Sequence, residues 1–205
     1  MALNNHNQII NDNEGSFNRK IAFLESKMRK DTLPPEEILK DLEIGPDSII
    51  LDAGAGSGYL TIPAAKQTDN LVFALDMDPR MLDVIKQKAE AANLKNIKII
   101  KGDIGDIPLK DESVDIVIAS LILHEVESLS LVLKEIRRIL KRDGYFLCLE
   151  YEKERTEGEL QGPPMDKRIP ASAMEKELLK VGLETIKKTI HQKPVYILKA
   201  RKIEK

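Results

Sequence analysis

From Ser48 onward the chain alternates short apolar runs with helical patterns, and this alternation limits the possible folds more than any other feature. Ile49-Ile50-Leu51 is a continuous apolar run, as a strand buried on both faces should be. LVFAL (71–75), IKII (97–100), VDIVIA (114–119) and YFLCL (145–149) repeat the pattern. Helices lie between them. Asp78-Pro79 supplies an N-cap and a first-position proline, and Met81, Leu82, Ile85, Ala89 and Ala92 then form one apolar face. A second helix near Ser128–Arg142 carries Leu129, Val132, Leu133, Ile136 and Leu140 at helical spacing. Lys141 and Arg142 sit at its negative end, and Gly144 follows as a stop. Strands alternating with helices over short links predict an α/β fold, a parallel sheet with helices on both faces.

The flanks read differently. Residues 1–16 are polar and Asn-rich and are expected to be a mobile arm, followed by a weak helix over about 17–30. Asp31-Thr32-Leu33-Pro34-Pro35-Glu36-Glu37 opens a helix that runs to about Leu42 and is closed by Gly45-Pro46. Glu150–Pro170 is polar and holds Gly158, Gly162, Pro163, Pro164 and Pro170, which predicts a loop. Ala171–Val181 reads as a helix stopped by Gly182. Leu183–Thr189 and Val195–Ala200 then flank a turn at Gln192-Lys193-Pro194, a hairpin that ends the sheet antiparallel. With 205 residues the expectation is one domain with an N-terminal cap, large enough for a core without staples.

Composition excludes several classes. No apolar run approaches the roughly 18 residues of a membrane span. The start has no basic segment followed by an apolar one, so no secretion signal is expected. The one cysteine, Cys148, allows no internal disulfide and no cysteine metal cluster, which fits the cytoplasm. Lys+Arg is 32 against Asp+Glu 34, and aromatics are 4% with no tryptophan, so neither a cationic field nor a stacking platform for nucleic acid is expected.

Ligands of such sheets bind beyond the carboxyl ends of the strands. Strand one ends in Asp52-Ala53-Gly54-Ala55-Gly56-Ser57-Gly58-Tyr59. The glycines at 54, 56 and 58 spell G-x-G-x-G, and Tyr59 stands where the dinucleotide fingerprint G-x-G-x-x-G needs its third glycine. Asp52 adds an anion where a pyrophosphate would lie, which repels a phosphate and attracts an ammonium group. Asp76 ends strand two, about 20 residues on, as a ribose-binding acid should. Asp78 is better explained as the helix cap. After strand three, Asp103 can accept from an exocyclic amine while the Ile104 N–H faces a ring nitrogen. Three acids at three adjacent strand ends match an amine, a ribose and an adenine in order.

These stretches resemble the class I S-adenosylmethionine-dependent methyltransferases, most of all their ubiquinone/menaquinone-methyltransferase-like small-molecule group. The matching segments are ILDAGAGSGYLTIPAA (50–65), ALDMDPRMLDVIKQKA (74–89), IIKGDIGDIPLKDESVDIVIASLILHEV (99–126) and LKRDGYFLCLEYEK (140–153). The resemblance implies a Rossmann-like doubly wound sheet of seven strands, mostly parallel, with a reversed C-terminal strand. It implies S-adenosyl-L-methionine as cofactor, held by Asp52, Gly54, Gly56, Gly58, Asp76, Met77, Asp103, Ile104 and Ser120. The chain then divides into an N-terminal arm and cap helix (1–32) and a cofactor-binding domain (33–205) with a substrate loop at about 153–170, the resemblance covering roughly 33–153 of it.

The acceptor side is less defined. His124 follows strand four and suits a general base, or else packs or caps a helix. His124-Glu125-Val126-Glu127 lacks the second histidine of H-E-x-x-H, so no metal is expected. Glu150, Tyr151 and Glu152 are candidates to line an acceptor pocket, and Arg168 to meet an anionic substrate. The reading is methyl transfer to a small-molecule acceptor by a cytoplasmic monomer or homodimer. A non-catalytic protein that binds the same cofactor is the alternative, and a nucleotide-cofactor oxidoreductase a weaker one.

Overall fold

The computed structural model describes residues 14–155, 162–192 and 194–204. Seven strands form one sheet: β1 (Ile50–Ala53), β2 (Val72–Asp76), β3 (Ile97–Lys101), β4 (Val114–Ser120), β5 (Leu140–Tyr151), β6 (Leu183–Gln192) and β7 (Val195–Lys202). Their order is β3-β2-β1-β4-β5-β7-β6. The first five pair in parallel, and β7 runs antiparallel to both neighbours, β5 and β6. The expected seven-stranded α/β sheet with one reversed C-terminal strand is the observed one. The order turns back between β1 and β4, the place where such sheets hold ligands.

Two apolar layers explain the alternation along each strand. Leu51, Phe73, Val117, Phe146 and Cys148 pack on one face with α6 (Leu129–Ile139) and α7 (Ala171–Val181). Ile50, Val72, Ile116, Ile118 and Leu147 pack on the other with α3 (Pro35–Leu39) and α4 (Thr61–Ala65). The α5 helix (Pro79–Ala91) buries Met81, Leu82, Ile85 and Ala89, capped by Asp78. Ala92, assigned to that face from the sequence, is the exposed C-cap residue instead.

Several boundaries differ from expectation. Residues 1–13 of the expected arm lie outside the described residues, while 14–16 begin a helix, α1, over 14–24. The single weak helix is two, because Ser26 stops the first and caps the second, α2 (Lys27–Thr32), accepting from the Arg29 N–H at 3.1 Å. The α6 helix ends at Ile139, so Leu140–Arg142 start β5. Lys141 there donates to Asp115 at 2.9 Å rather than facing a helix end. Gly144 is no helix stop; a Cβ there would sit 3.0 Å from the carbonyls of Asp115 and Lys141, a close passage of two backbones. Glu150 and Tyr151, assigned to the polar loop, are the buried end of β5.

Candidate functional site

Beyond the carboxyl ends of β1, β2, β4 and β5 lies a cavity of about 580 Å³, a size that holds a drug-sized ligand. Asp52, Gly54, Gly56, Asp76, Ser120 and His124 line it, so six of the predicted residues from three separate segments meet here.

The glycine loop forms the floor. Gly54 has φ +75°, and a Cβ there would lie 2.6 Å from Ile122 Cγ1, so only glycine lets the loop pass beneath the β4 segment. Asp76 fixes the same loop. Its Oδ2 accepts from the Gly56 N–H at 2.8 Å and its Oδ1 from the Asp78 N–H at 2.9 Å. Each oxygen keeps a further lone pair. Asp78 caps α5, accepting from the Arg80 N–H at 3.0 Å, and pairs with the Arg80 guanidinium. That bond and charge hold its carboxyl below the usual range.

Asp52 is 2% exposed and accepts a hydrogen bond from Thr61 Oγ1 at 2.6 Å. Burial pushes its carboxyl up to about 6, the Thr61 bond pulls against that, and the Asp76 charge adds to it.

Four predicted residues are not brought into the cavity. Gly58 packs on α5, where a Cβ would lie 3.0 Å from Ile85 Cγ1. Met77 is 66% exposed on the surface. Asp103 is exposed and accepts from the Gly105 N–H at 2.7 Å, a local turn, and Ile104 is buried in the core beside it. The adenine half of the expected site is thus an open surface beside β2 and β3, not a walled pocket.

The opposite wall carries a histidine–carboxylate pair. Leu121 takes a left-handed φ of 56°, which turns the chain back after β4. A 3-10 turn, Leu123–Glu125, follows. Glu150 at the end of β5 is 0% exposed. Its Oε1 accepts from the Leu123 N–H at 2.8 Å, and its Oε2 lies 2.9 Å from His124 Nδ1. Burial depresses the His124 ionisation, but the Glu150 hydrogen bond and charge outweigh it, and the net shift is upward. Nδ1 is therefore the nitrogen that donates to Glu150. Nε2 stands 3.8 Å from Glu125, which also lines the cavity.

The sequence assigned Glu150 to the acceptor pocket, and the structure makes it the buried partner of His124. Tyr151 does line the cavity. Glu152 instead accepts from the Ala171 N–H at 3.2 Å. Of the expected substrate loop, Gly162, Pro163, Pro164 and Lys167 line the cavity. Arg168 does not; it is 6% exposed and donates to the carbonyls of Pro163 at 3.0 Å and Glu154 at 2.6 Å, which pins the loop.

An N-terminal cap is expected from the sequence, but not which of its residues face the cavity. Lys20, Phe23 and Leu24 of α1 and Arg29 of α2 close the cavity from above. Glu25 holds them there, accepting from Ser57 Oγ and Lys88 Nζ, both at 2.6 Å. The Tyr59 hydroxyl donates to the Leu33 carbonyl at 2.7 Å. These contacts span 26 to 63 residues, so no local pattern announces them.

Comparison with known proteins relates the fold to a family. Residues 51–148 match the family model described as a methyltransferase domain. A demethylmenaquinone methyltransferase of Bacillus mycoides is 33% identical over 143 residues, 69% of this chain and 58% of that relative. Over residues 51–148 the chain carries a methyltransferase domain, similar to those of the class I S-adenosylmethionine-dependent methyltransferases. S-adenosylmethionine is the cofactor of that family. The ribosomal protein L11 methyltransferase of Thermoanaerobacter pseudethanolicus is 35% identical over 125 residues, 61% of this chain and 39% of that relative. A solved S-adenosylmethionine-dependent methyltransferase from Aquifex aeolicus has the same fold, with a TM-score of 0.81 at 24% identity over 90% of this chain and 98% of that one. The chain thus spans 58% of the demethylmenaquinone relative and 39% of the ribosomal-protein one. The methyltransferase domain has no helix, among the described residues, long and apolar enough to cross a membrane. Nor do those residues place three His, Cys, Asp or Glu side chains to hold a metal ion.

Proposed function

We propose that the protein transfers a methyl group from S-adenosylmethionine to a small-molecule acceptor in the cytoplasm. The observation that carries this is one cavity with two unlike walls: buried Asp52, Asp76 and bare glycine backbone on one side, the His124–Glu150 pair on the other.

The donor wall fits the cofactor's chemistry. An ammonium group suits Asp52, whose buried carboxyl has no cation hydrogen-bonded to it among the described residues. Vicinal hydroxyls suit the remaining lone pairs of Asp76. A pyrophosphate would stand against both acids. Gly54, Gly56 and Ser120 complete this wall, Gly58 is proposed to lie beneath the methionine part, and Met77, Asp103 and Ile104 to act on the adenine side. The bound cofactor supplies a methyl group already activated on a sulfonium.

The chain's own part is alignment, proton handling and shielding. Positioning of a reacting pair is worth up to about 7–11 kcal/mol. Glu150 holds His124 in the form that leaves Nε2 basic, and Nε2 takes the proton an acceptor O–H or N–H gives up. The cap (residues 14–32, within the proposed 1–32 unit) and the 162–168 part of the substrate loop exclude water. The cavity's size of about 580 Å³ and the chain's net charge of −2 support a small molecule rather than nucleic acid.

Calorimetry with S-adenosylmethionine, S-adenosylhomocysteine and NAD tests the donor assignment. The first two should bind far more tightly, and tighter NAD binding overturns it. Incubating candidate acceptors with methyl-labelled cofactor, read by mass spectrometry, then tests transfer. Tight cofactor binding with no transfer to any acceptor would favour a regulatory binding protein.

A further inference from the structure

Arg168 sits near the end of the substrate loop and is 6% exposed, yet it does not line the cavity. A guanidinium keeps its charge in proteins, and burying one is costly unless its donors and charge are used. Here they are used on the acceptor wall. Nε donates to the Pro163 carbonyl at 3.0 Å and Nη1 to the Glu154 carbonyl at 2.6 Å, so one rigid fork ties the chain leaving β5 to the returning loop. The guanidinium also lies 5.2 Å from the centre of the Tyr151 ring. That ring lines the cavity and meets the His124 ring edge-on, with centroids 6.4 Å apart and planes at 79°. Gly162 completes the stack. A Cβ there would stand 2.9 Å from Tyr151 Cε1 and 3.1 Å from Arg168 Nη2, so the loop backbone is laid directly on both.

These contacts form a chain from the loop to the base. Of the cavity's lining, Gly162, Pro163 and Tyr151 rest on Arg168, and Tyr151 rests on His124 in turn. The Arg168 charge reaches His124 as well. Beside burial and the Glu150 bond and charge, the Glu125 charge favours the imidazolium and the Arg168 charge opposes it. A base must be free of its proton before it can take one from an acceptor, so an opposing cation serves the reaction.

We propose that Arg168 is the positioning residue of the acceptor wall, holding the loop and Tyr151 in one arrangement around His124. It acts through those residues and not by contact with the acceptor. This rests on the reading of His124 as the acceptor-side base.

Hydrogen exchange at the Lys167 amide, which donates to the Pro164 carbonyl at 3.0 Å, reads the loop. In Arg168→Gln that exchange should quicken about 10–150-fold, the span of a hydrogen bond to a charged group. Histidine NMR should show His124 titrating at higher pH than in the wild type, because an opposing charge is gone. Arg168→Lys keeps the charge but not the fork, so Lys167 exchange should still quicken while the His124 titration stays near that of the wild type. Affinity for S-adenosylhomocysteine should hold within about threefold in both variants, because Arg168 is no part of the glycine-loop wall. With an acceptor found by the labelled-methyl screen, Arg168→Lys should raise KM and leave kcat within about threefold. Unchanged Lys167 exchange in Arg168→Gln overturns the proposal, and so does a His124 titration that Gln and Lys shift alike. A loss of S-adenosylhomocysteine affinity together with a lower thermal midpoint makes Arg168 a support of the whole domain and overturns it too. If neither variant folds, Gly162→Ala, whose Cβ would press on Tyr151 and Arg168, should by itself quicken Lys167 exchange, and failure to do so overturns the proposal. A His124→Gln variant that keeps full transfer fails the base reading instead, and the exchange and S-adenosylhomocysteine results still decide whether Arg168 orders the wall.

Discussion

Replacing Asp52 by Asn separates the cost of this site from its use. Burial lifts the Asp52 carboxyl from 3.8 to about 6. At 1.36 kcal/mol per pH unit, that gap costs the folded state about 3 kcal/mol once the group is ionised. The sign follows from proton linkage. A folded-state value above the unfolded one means the native protein holds the proton more tightly, so the acid's favourable contribution is complete below 3.8 and is lost as pH rises through about 6. Asn cannot ionise, and its carbonyl still accepts from Thr61. Ligand-free Asp52→Asn should therefore match the wild type near pH 4 and exceed it by up to about 3 kcal/mol at pH 7.5. Urea unfolding at several pH values reads the difference. Binding should move the other way. Wild-type affinity for S-adenosylhomocysteine should rise with pH through about 6 as Asp52 ionises to meet the ammonium group, and the variant should lose both the rise and the tight binding. A stability gap independent of pH, or a variant less stable at pH 7.5, would falsify the claim that this site stores the energy of a buried charge.

Further consequences concern the other groups of the site. Glu150→Gln should drop the His124 ionisation below 6.5, because burial then acts without the carboxylate, whereas the wild type should titrate above 6.5; histidine NMR decides. The wild-type pair should stabilise the protein most below pH 6.5 and fade as pH climbs through the raised value, and a stability advantage that instead grows with pH refutes the pair. Gly54→Ala should destabilise by about 1–3 kcal/mol through its positive φ and the clash with Ile122, and adding Ile122→Ala should recover part of it in thermal unfolding. Asp78→Ala should lose about 0.5–2 kcal/mol of stability as a helix cap with cofactor affinity nearly kept. Asp76→Ala should instead weaken cofactor binding by about 1–3 kcal/mol, and calorimetry showing the reverse order refutes the division of roles.

The glycine-loop wall of the cavity was legible because it is local. Asp52 to Gly58 is one loop, and its glycine spacing states where backbone must approach a ligand or another chain segment. Asp76 follows at the spacing a βαβ unit imposes. Even here the sequence described chemistry better than walls. Asp103 and Ile104 were read from their place after β3, yet Asp103 is turned onto the Gly105 N–H and Ile104 into the core. Turn formation won, as it does for aspartate before glycine. The α6 boundary failed for a related reason. Leu140 continues the helical spacing, but its side chain serves equally well in a buried strand, and Lys141 finds Asp115 only once β4 and β5 pair.

The acceptor wall was illegible for a physical reason that the sheet register makes plain. In the parallel β4–β5 pair, Ser120 lies opposite Leu149. Glu150 is therefore level with the chain just after β4, at the point where a straight strand would run on past it. Leu121 adopts a left-handed conformation there, which no apolar residue advertises. That reversal brings the Leu123 and His124 N–H groups and the His124 ring back onto one buried carboxylate, 26 residues away in sequence from His124. Nothing in Leu-Ile-Leu-His-Glu or in Leu-Glu-Tyr signals the partnership; each is a plain strand end by itself. The same holds for Arg29, which looks like one more surface cation in a helix until Tyr59, 30 residues on, rises beneath it. The His124–Glu150 pair and the Arg29–Tyr59 contact thus come from pairs of segments that meet only through the sheet order and the cap. The glycine-loop wall comes from one loop and the β2 end beside it.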